Sequence, residues 1–214
     1  MTLAQARLYL VAPARIEAGN LSDLAGELAA AGVDLIQLRE KELEAGEVLR
    51  RGEPIAAACR EAGIPFIVND RPDVALALEA SGVHLGQDDL PVRFARRIIG
   101  SGIVGRSTHS APQIAAELSS KDAPDYIAVG PVRETPTKPG RPGVGLELVR
   151  YASETARSMP WFAIGGIDHD SLPAVLEAGA RRIVVVRAIT QAEDPIKAAA
   201  GLKEMLLDAA GRGG

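Results

Sequence analysis

Cysteine is nearly absent: Cys59 is the only one in 214 residues, so no disulfide framework can form. It sits in an Ala-rich helical run and reads as a packing residue. Aromatic residues are scarce too, one Trp, three Tyr and three Phe, against an apolar fraction of 47%. That balance disfavours a β-sandwich and suits a parallel sheet covered by helices. Positive charge is not in excess, and the formal net charge is −4. No global field therefore favours nucleic acid or an anionic membrane, and a phosphate ligand has to be held by a local cluster. No apolar run approaches the ~18 residues of a membrane span, and the N-terminus lacks a charged region followed by an apolar one. The expectation is a cytoplasmic protein with neither nucleic acid nor membrane as partner.

What the chain does have is regular punctuation. Short apolar runs at 8–11, 34–39, 65–68, 83–85, 103–107, 125–129, 161–164 and 182–186 each read as a strand. Helix-compatible stretches follow them at 21–31, 46–62, 74–80, 91–100, 111–118, 146–157, 172–178 and from 195 onward. Gly52 and Pro54 are expected to break or bend the first turns of the second helix. Eight strand-then-helix units predict one α/β domain over 1–214, a single (β/α)8 TIM barrel near the ~200-residue minimum for that fold. The tail at 211–214 is expected to be disordered. A doubly wound open sheet is the alternative, but no dinucleotide-type glycine fingerprint follows the first strand.

In such a barrel the chemistry lies at the carboxyl ends of the strands. The polar residues there are Gln37, Arg39 and Lys41; Asn69 and Asp70; Gln87 and Asp89; Ser107 and His109; then Thr135, Thr137 and Lys138 in the long segment 130–145. Gly165, Gly166, Val186 and Arg187 complete the rim. Asp70 and Asp89 end neighbouring strands. Either alone could cap a helix, but together they point to a hard cation, Mg²⁺, with phosphate oxygens completing its shell. Arg39 offers a forked grip on phosphate, Lys41 and Lys138 point charges. Pairing of Arg39 with Asp70 is the purely structural alternative. Gly165-Gly166 and Val186-Arg187 stand where many barrels bind phosphate on backbone N–H groups. His84 lies within a strand and reads as a core-facing or interstrand residue; His109, on the rim, could carry a proton near neutral pH.

With these residues collected, the chain resembles the thiamine-phosphate synthase (thiamine-phosphate pyrophosphorylase) family. The resemblance runs from Tyr9 to Ala188 and rests on QLREK (37–41), NDRPD (69–73), GVHLGQDDLP (82–91), GRSTHS (105–110), DYIAVGPVRETPTKPG (125–140) and AIGGI (163–167). It implies a transferase of thiamine biosynthesis with one Mg²⁺ per subunit. The enzyme would join a hydroxymethylpyrimidine diphosphate to a thiazole phosphate, giving thiamine phosphate and pyrophosphate. By position, Gln37, Leu38, Arg39, Glu40, Lys41 and Asn69 would hold the pyrimidine diphosphate, and Asp70 and Asp89 would bind the metal. Ser107 would contact diphosphate or pyrimidine, and Lys138 the pyrophosphate. Thr135, Pro136 and Thr137 would form a lid near the thiazole phosphate, and Gly166, Val186 and Arg187 would complete that pocket. Arg39, Lys41, Ser107 and Lys138 would be the catalytic set. The resemblance is compatible with a homo-oligomer.

Two departures stand out. Where the family commonly has Ser after the eighth strand, this chain has Arg187, and Pro136 removes a backbone donor from the lid. The nearest rival is a thiazole tautomerase of the same superfamily, relying on His109 and needing no pyrophosphate grip. A non-catalytic sensor of a phosphate ligand is the other.

Overall fold

Each of the eight apolar runs forms a strand, and the strands close into a parallel barrel. The computed structural model describes residues 3–134 and 143–211. The barrel strands are β1 (Leu8–Ala12), β4 (Leu35–Leu38), β5 (Phe66–Asn69), β6 (Gly82–Leu85), β7 (Ile103–Thr108), β8 (Tyr126–Val129), β9 (Trp161–Ile164) and β10 (Ile183–Val185). They hydrogen-bond in chain order, and β10 returns to β1 through Leu8↔Ile183. A small antiparallel pair, β2 (Arg15–Ile16) and β3 (Gly19–Asn20), follows β1. The helices between strands are α1 (Leu21–Ala30), α2 (Ala45–Ala62), α3 (Pro72–Ala77), α4 (Val92–Ile99), α5 (Ala111–Ser119), α6 (Gly145–Thr155) and α7 (Leu172–Glu177). The four-residue α8 (Arg187–Thr190) and the closing α9 (Pro195–Gly211) come last. Gly211 thus ends a helix, while the remainder of the expected disordered tail lies outside the described residues.

The pleat divides the apolar residues into two cores. One face of each strand packs with the helices, as Leu8, Leu10, Ile36, Leu38, Val68 and Val83 do. The other face fills the barrel with Tyr9, Val11, Leu35, Ile67, Tyr126, Phe162 and Val184. Three of the scarce aromatics are spent there: Tyr9, Tyr126 and Phe162 meet edge to face with centroids 5.5–5.9 Å apart. Such pairs add about 0.5–1.5 kcal/mol each beyond area burial. This plug fills the lower barrel and leaves the carboxyl end open.

The expected break in the second helix does not occur. α2 runs unbroken through Gly52 and Pro54. Pro54 forgoes one backbone bond, at about 3 kcal/mol for an interior position. Val48 before it and Ile55 and Cys59 after it are all buried, and each such side chain returns on the order of 1.5–3 kcal/mol. Tertiary burial outweighs the local penalty. Asp194 caps the start of α9, its carboxylate accepting the Lys197 N–H at 2.9 Å.

Candidate active site

The carboxyl ends of the strands surround a cavity of about 660 Å³. Gln37, Arg39 and Lys41 line it together, because alternate residues of an extended chain share a face. The same alternation turns their neighbours away. Leu38 lies in the strand–helix core, and the Glu40 carboxylate accepts the Ala14 N–H at 3.0 Å, so neither lines the cavity. Asn69, Asp70, Asp89, Ser107, Gly166, Val186 and Arg187 all line it, as do Gln87, His109 and Gly165. Thr135, Pro136, Thr137 and Lys138 lie outside the described residues.

Asp70 sits just past β5 with φ 63°, a left-handed conformation uncommon outside glycine. Its N–H donates to the His84 carbonyl at 2.8 Å, and the Arg71 N–H to the Asn69 carbonyl at 2.8 Å. That tight turn aims the Asp70 side chain across to Asp89. Asp89 in turn accepts the Gly86 N–H at 2.6 Å. The two carboxyl groups hydrogen-bond to each other, and Lys41 lies 3.0 Å from Asp70. Lys41, rather than Arg39, is the ion-pair partner of Asp70.

Burial raises the Asp70 pKa above its ordinary value, and the contact with Asp89 adds to the rise against the pull of Lys41. For Asp89, burial also acts upward but is outweighed. Hydrogen bonds from Asp70 and the Gly86 N–H, with the charges of Lys41 and Arg106, leave it below its ordinary value. Arg39 has its pKa lowered by burial, opposed by the Asp70 charge.

Two carboxylates in direct contact require a proton or a cation between them. Among the described residues no group of three or more His, Cys, Asp and Glu could hold a metal. A two-carboxylate donor set that leaves remaining positions to water and phosphate is what Mg²⁺ accepts, so these residues fit it.

The opposite side of the mouth is bare backbone. Gly165 has φ 107°, and a Cβ there would lie 2.5 Å from the Pro131 Cα, so only glycine lets the exits of β8 and β9 pack together. Beside it are Gly166, Val186 and Arg187, the last opening α8. His109 is held by a ring N–H donated from Nδ1 to the Gly130 carbonyl. Asp168, also lining the cavity, has its pKa lowered by hydrogen bonds from Ser171.

Some lining residues were not assigned to the site from sequence. Tyr9 and His84 form the floor, and Gly86, Asp88 and Asp168 the wall. Inward alternation along β1 and β6 was the available signal for Tyr9 and His84. Behind the wall, the largely buried Arg106 guanidinium donates to the carbonyls of Gln87 at 3.2 Å and Leu90 at 3.4 Å. Its Nε lies 3.5 Å from Glu117. It thus fixes from outside the turn that carries Asp89.

A closed (β/α)8 barrel whose mouth gathers cations, a carboxylate pair and glycine backbone belongs to the class of barrels that handle anionic ligands. The comparisons make this specific. The family model described as "Thiamine monophosphate synthase" matches residues 8–189. The chain is 53% identical to a thiamine-phosphate synthase of Acidothermus cellulolyticus over 98% of its own length and 99% of that protein's. It is 54% identical to one of Mycobacterium sp. (strain KMS), covering 96% of this chain and 94% of that one. Among solved structures, a thiamine phosphate pyrophosphorylase from Pyrococcus furiosus superposes with a TM-score of 0.85 at 32% identity, covering 97% of this chain and 98% of that one. A 3-hexulose-6-phosphate synthase, at 22% identity and a TM-score of 0.64, shares the fold. The chain belongs to the thiamine-phosphate synthase family, and it is a transferase of thiamine biosynthesis. Among the described residues no helix is long and apolar enough to cross a membrane.

Proposed function

We propose that the cavity condenses a hydroxymethylpyrimidine diphosphate with a thiazole phosphate, releasing thiamine phosphate and pyrophosphate. The observation that carries this reading is the contact between Asp70 and Asp89, with Lys41 3.0 Å away and Arg39 beside them. That grouping suits a diphosphate brought in as its Mg²⁺ complex. When bound, one Mg²⁺ would neutralise diphosphate oxygens and so make pyrophosphate a better leaving group.

The chain's own residues supply charge and orientation. Gln37 and Asn69 orient the pyrimidine. Arg39, Lys41, Ser107 and Lys138 hold the departing diphosphate, stabilising negative charge as the C–O bond breaks. Pyrophosphate leaves with the bonding pair, and the electron-rich aminopyrimidine ring delocalises the methyl cation left behind. The thiazole nitrogen then donates its lone pair to that carbon, forming the C–N bond with no proton to relocate. Gly166, Val186 and Arg187, with the lid residues Thr135, Pro136 and Thr137, hold the thiazole phosphate at attacking distance. No protein nucleophile is required, consistent with Cys59 being buried away from the cavity. The reading includes a cytoplasmic enzyme that can assemble as a homo-oligomer.

Incubation of both substrates with Mg²⁺, followed by chromatography, should yield thiamine phosphate. Isomerised thiazole phosphate without any thiamine phosphate would overturn the reading in favour of a tautomerase using His109. Binding of both substrates with no product at all would favour a sensor.

A further inference from the structure

Across the barrel floor run five side chains that are each at least nine-tenths buried: Gln37, Tyr9, Tyr126, His84 and Ser107. The Gln37 Nε2 donates to the Tyr9 hydroxyl. The Tyr9 and Tyr126 hydroxyls are 2.9 Å apart. His84 Nδ1 is 3.0 Å from the Tyr126 hydroxyl, and His84 Nε2 is 3.0 Å from the Ser107 Oγ. The chain thus links five strands, β4, β1, β8, β6 and β7, from one wall of the cavity to the other. Tyr126 can enter it only because Gly105 faces it, since a Cβ there would come within 2.1 Å of the phenol ring. The His84 ring stacks on that phenol at a centroid distance of 5.5 Å.

We propose that this chain is directional: it fixes His84 as the Nε2–H tautomer and turns the Ser107 hydroxyl proton toward the cavity. Each donor decides the next. Gln37 supplies an amide N–H, so the Tyr9 oxygen accepts and its proton passes to the Tyr126 oxygen. Tyr126 then donates to His84 Nδ1. An imidazole accepting at Nδ1 carries its proton on Nε2, and that proton goes to the Ser107 Oγ. Ser107, having accepted, keeps its own O–H for the cavity. Both phenols hold their protons because burial raises their pKa values above the ordinary phenol range. Had the Gln37 amide the reverse orientation, every donor would reverse, and Ser107 would spend its proton on His84.

The consequence rests on the function proposed above. A diphosphate oxygen needs a donor, and a serine presenting only lone pairs would repel it. A hydroxyl directed outward gives a charge-assisted hydrogen bond that strengthens as the leaving group gains charge. Tyr9, Tyr126 and His84 are therefore positioning residues that act through Ser107. The cation sites at Arg39 and Lys41 do not depend on them.

The test is a long-range ¹H–¹⁵N correlation spectrum of the full chain labelled at histidine. The chain has only three histidines, and His84→Gln identifies one set of peaks. The expected wild-type spectrum shows a neutral His84 with the proton on Nε2. Tyr126→Phe removes the donor to Nδ1 and should shift His84 toward the other tautomer. It should also lower kcat about tenfold, the equivalent of one hydrogen bond, with the KM for the thiazole phosphate unchanged. Tyr9→Phe is the second variant and should move both readouts in the same sense. A wild-type His84 protonated on Nδ1 overturns the proposal, as does an unchanged tautomer and kcat in both variants. An Nε2–H tautomer in a protein that makes no thiamine phosphate would leave the chain standing and remove only the substrate reading.

Discussion

Asp34→Ala should weaken the barrel heavily while leaving the chemistry at its other end intact. Asp34 precedes β4, at the amino end of the strands, and is buried. Its Oδ2 accepts the N–H groups of Arg7 at 2.6 Å and Leu8 at 2.9 Å, and Lys203 Nζ from α9 lies 2.6 Å away. One carboxylate thereby ties the start of β1, the start of β4 and the closing helix. Removing it leaves a largely buried ammonium without its partner, for which breaking a buried pair costs about 3–5 kcal/mol. The orphaned Leu8 amide keeps the figure in the upper half of that range. For a chain of this size about 1 kcal/mol corresponds to roughly 2–4 °C, so Tm should fall by about 8–20 °C. Thermal unfolding followed by circular dichroism measures the fall, and kcat/KM at 20 °C should stay within about twofold of wild type, a difference of under ~0.5 kcal/mol. A fall below about 3 °C would refute the stability argument. A parallel loss of kcat/KM would refute the separation of a stabilising lower face from a catalytic upper one.

Other outcomes follow from the site itself. Asp70→Asn and Asp89→Asn should each abolish Mg²⁺-dependent turnover with the barrel still folded by circular dichroism; full activity in both would remove the metal assignment. Arg106→Met frees the turn at 87–90 and should raise the Mg²⁺ concentration for half-maximal activity about tenfold. Arg106→Lys should not restore it, because an ammonium lacks the fork that reaches two carbonyls; an unchanged Mg²⁺ requirement in either variant would contradict the role. Burial raises the Cys59 thiol from 9.0 to about 12, so native protein should resist alkylation up to about pH 10, whereas rapid stoichiometric labelling at pH 8 would contradict it. The unfolded thiol ionises first as pH rises, so this stability contribution is complete below pH 9.0 and is lost between there and about 12.

The barrel was legible because each of its strands is an apolar run too short for a helix and bounded by polar or turn residues. Elements without such a signal were not. The β2–β3 pair has two residues per strand, and α8 has four, so neither shows a period. The carboxylates and cations were legible as run endings, which place them on one rim whatever their exact contacts. Within Gln37-Leu38-Arg39-Glu40-Lys41, however, a contiguous motif conceals the pleat, which sends Gln37, Arg39 and Lys41 inward and Leu38 and Glu40 away. The floor required knowledge of register. That Tyr9, Tyr126 and His84 meet depends on how β1, β8 and β6 stagger across the barrel, and no local pattern carries that information.

The function proposed for the Asp70–Asp89 rim is a metal-assisted condensation of two phosphorylated rings. The most direct measurement is pyrophosphate release with pyrimidine diphosphate, thiazole phosphate and Mg²⁺, each omitted in turn. Release is expected only when all three are present. No release in the complete mixture, or the same release with Mg²⁺ left out, would contradict it.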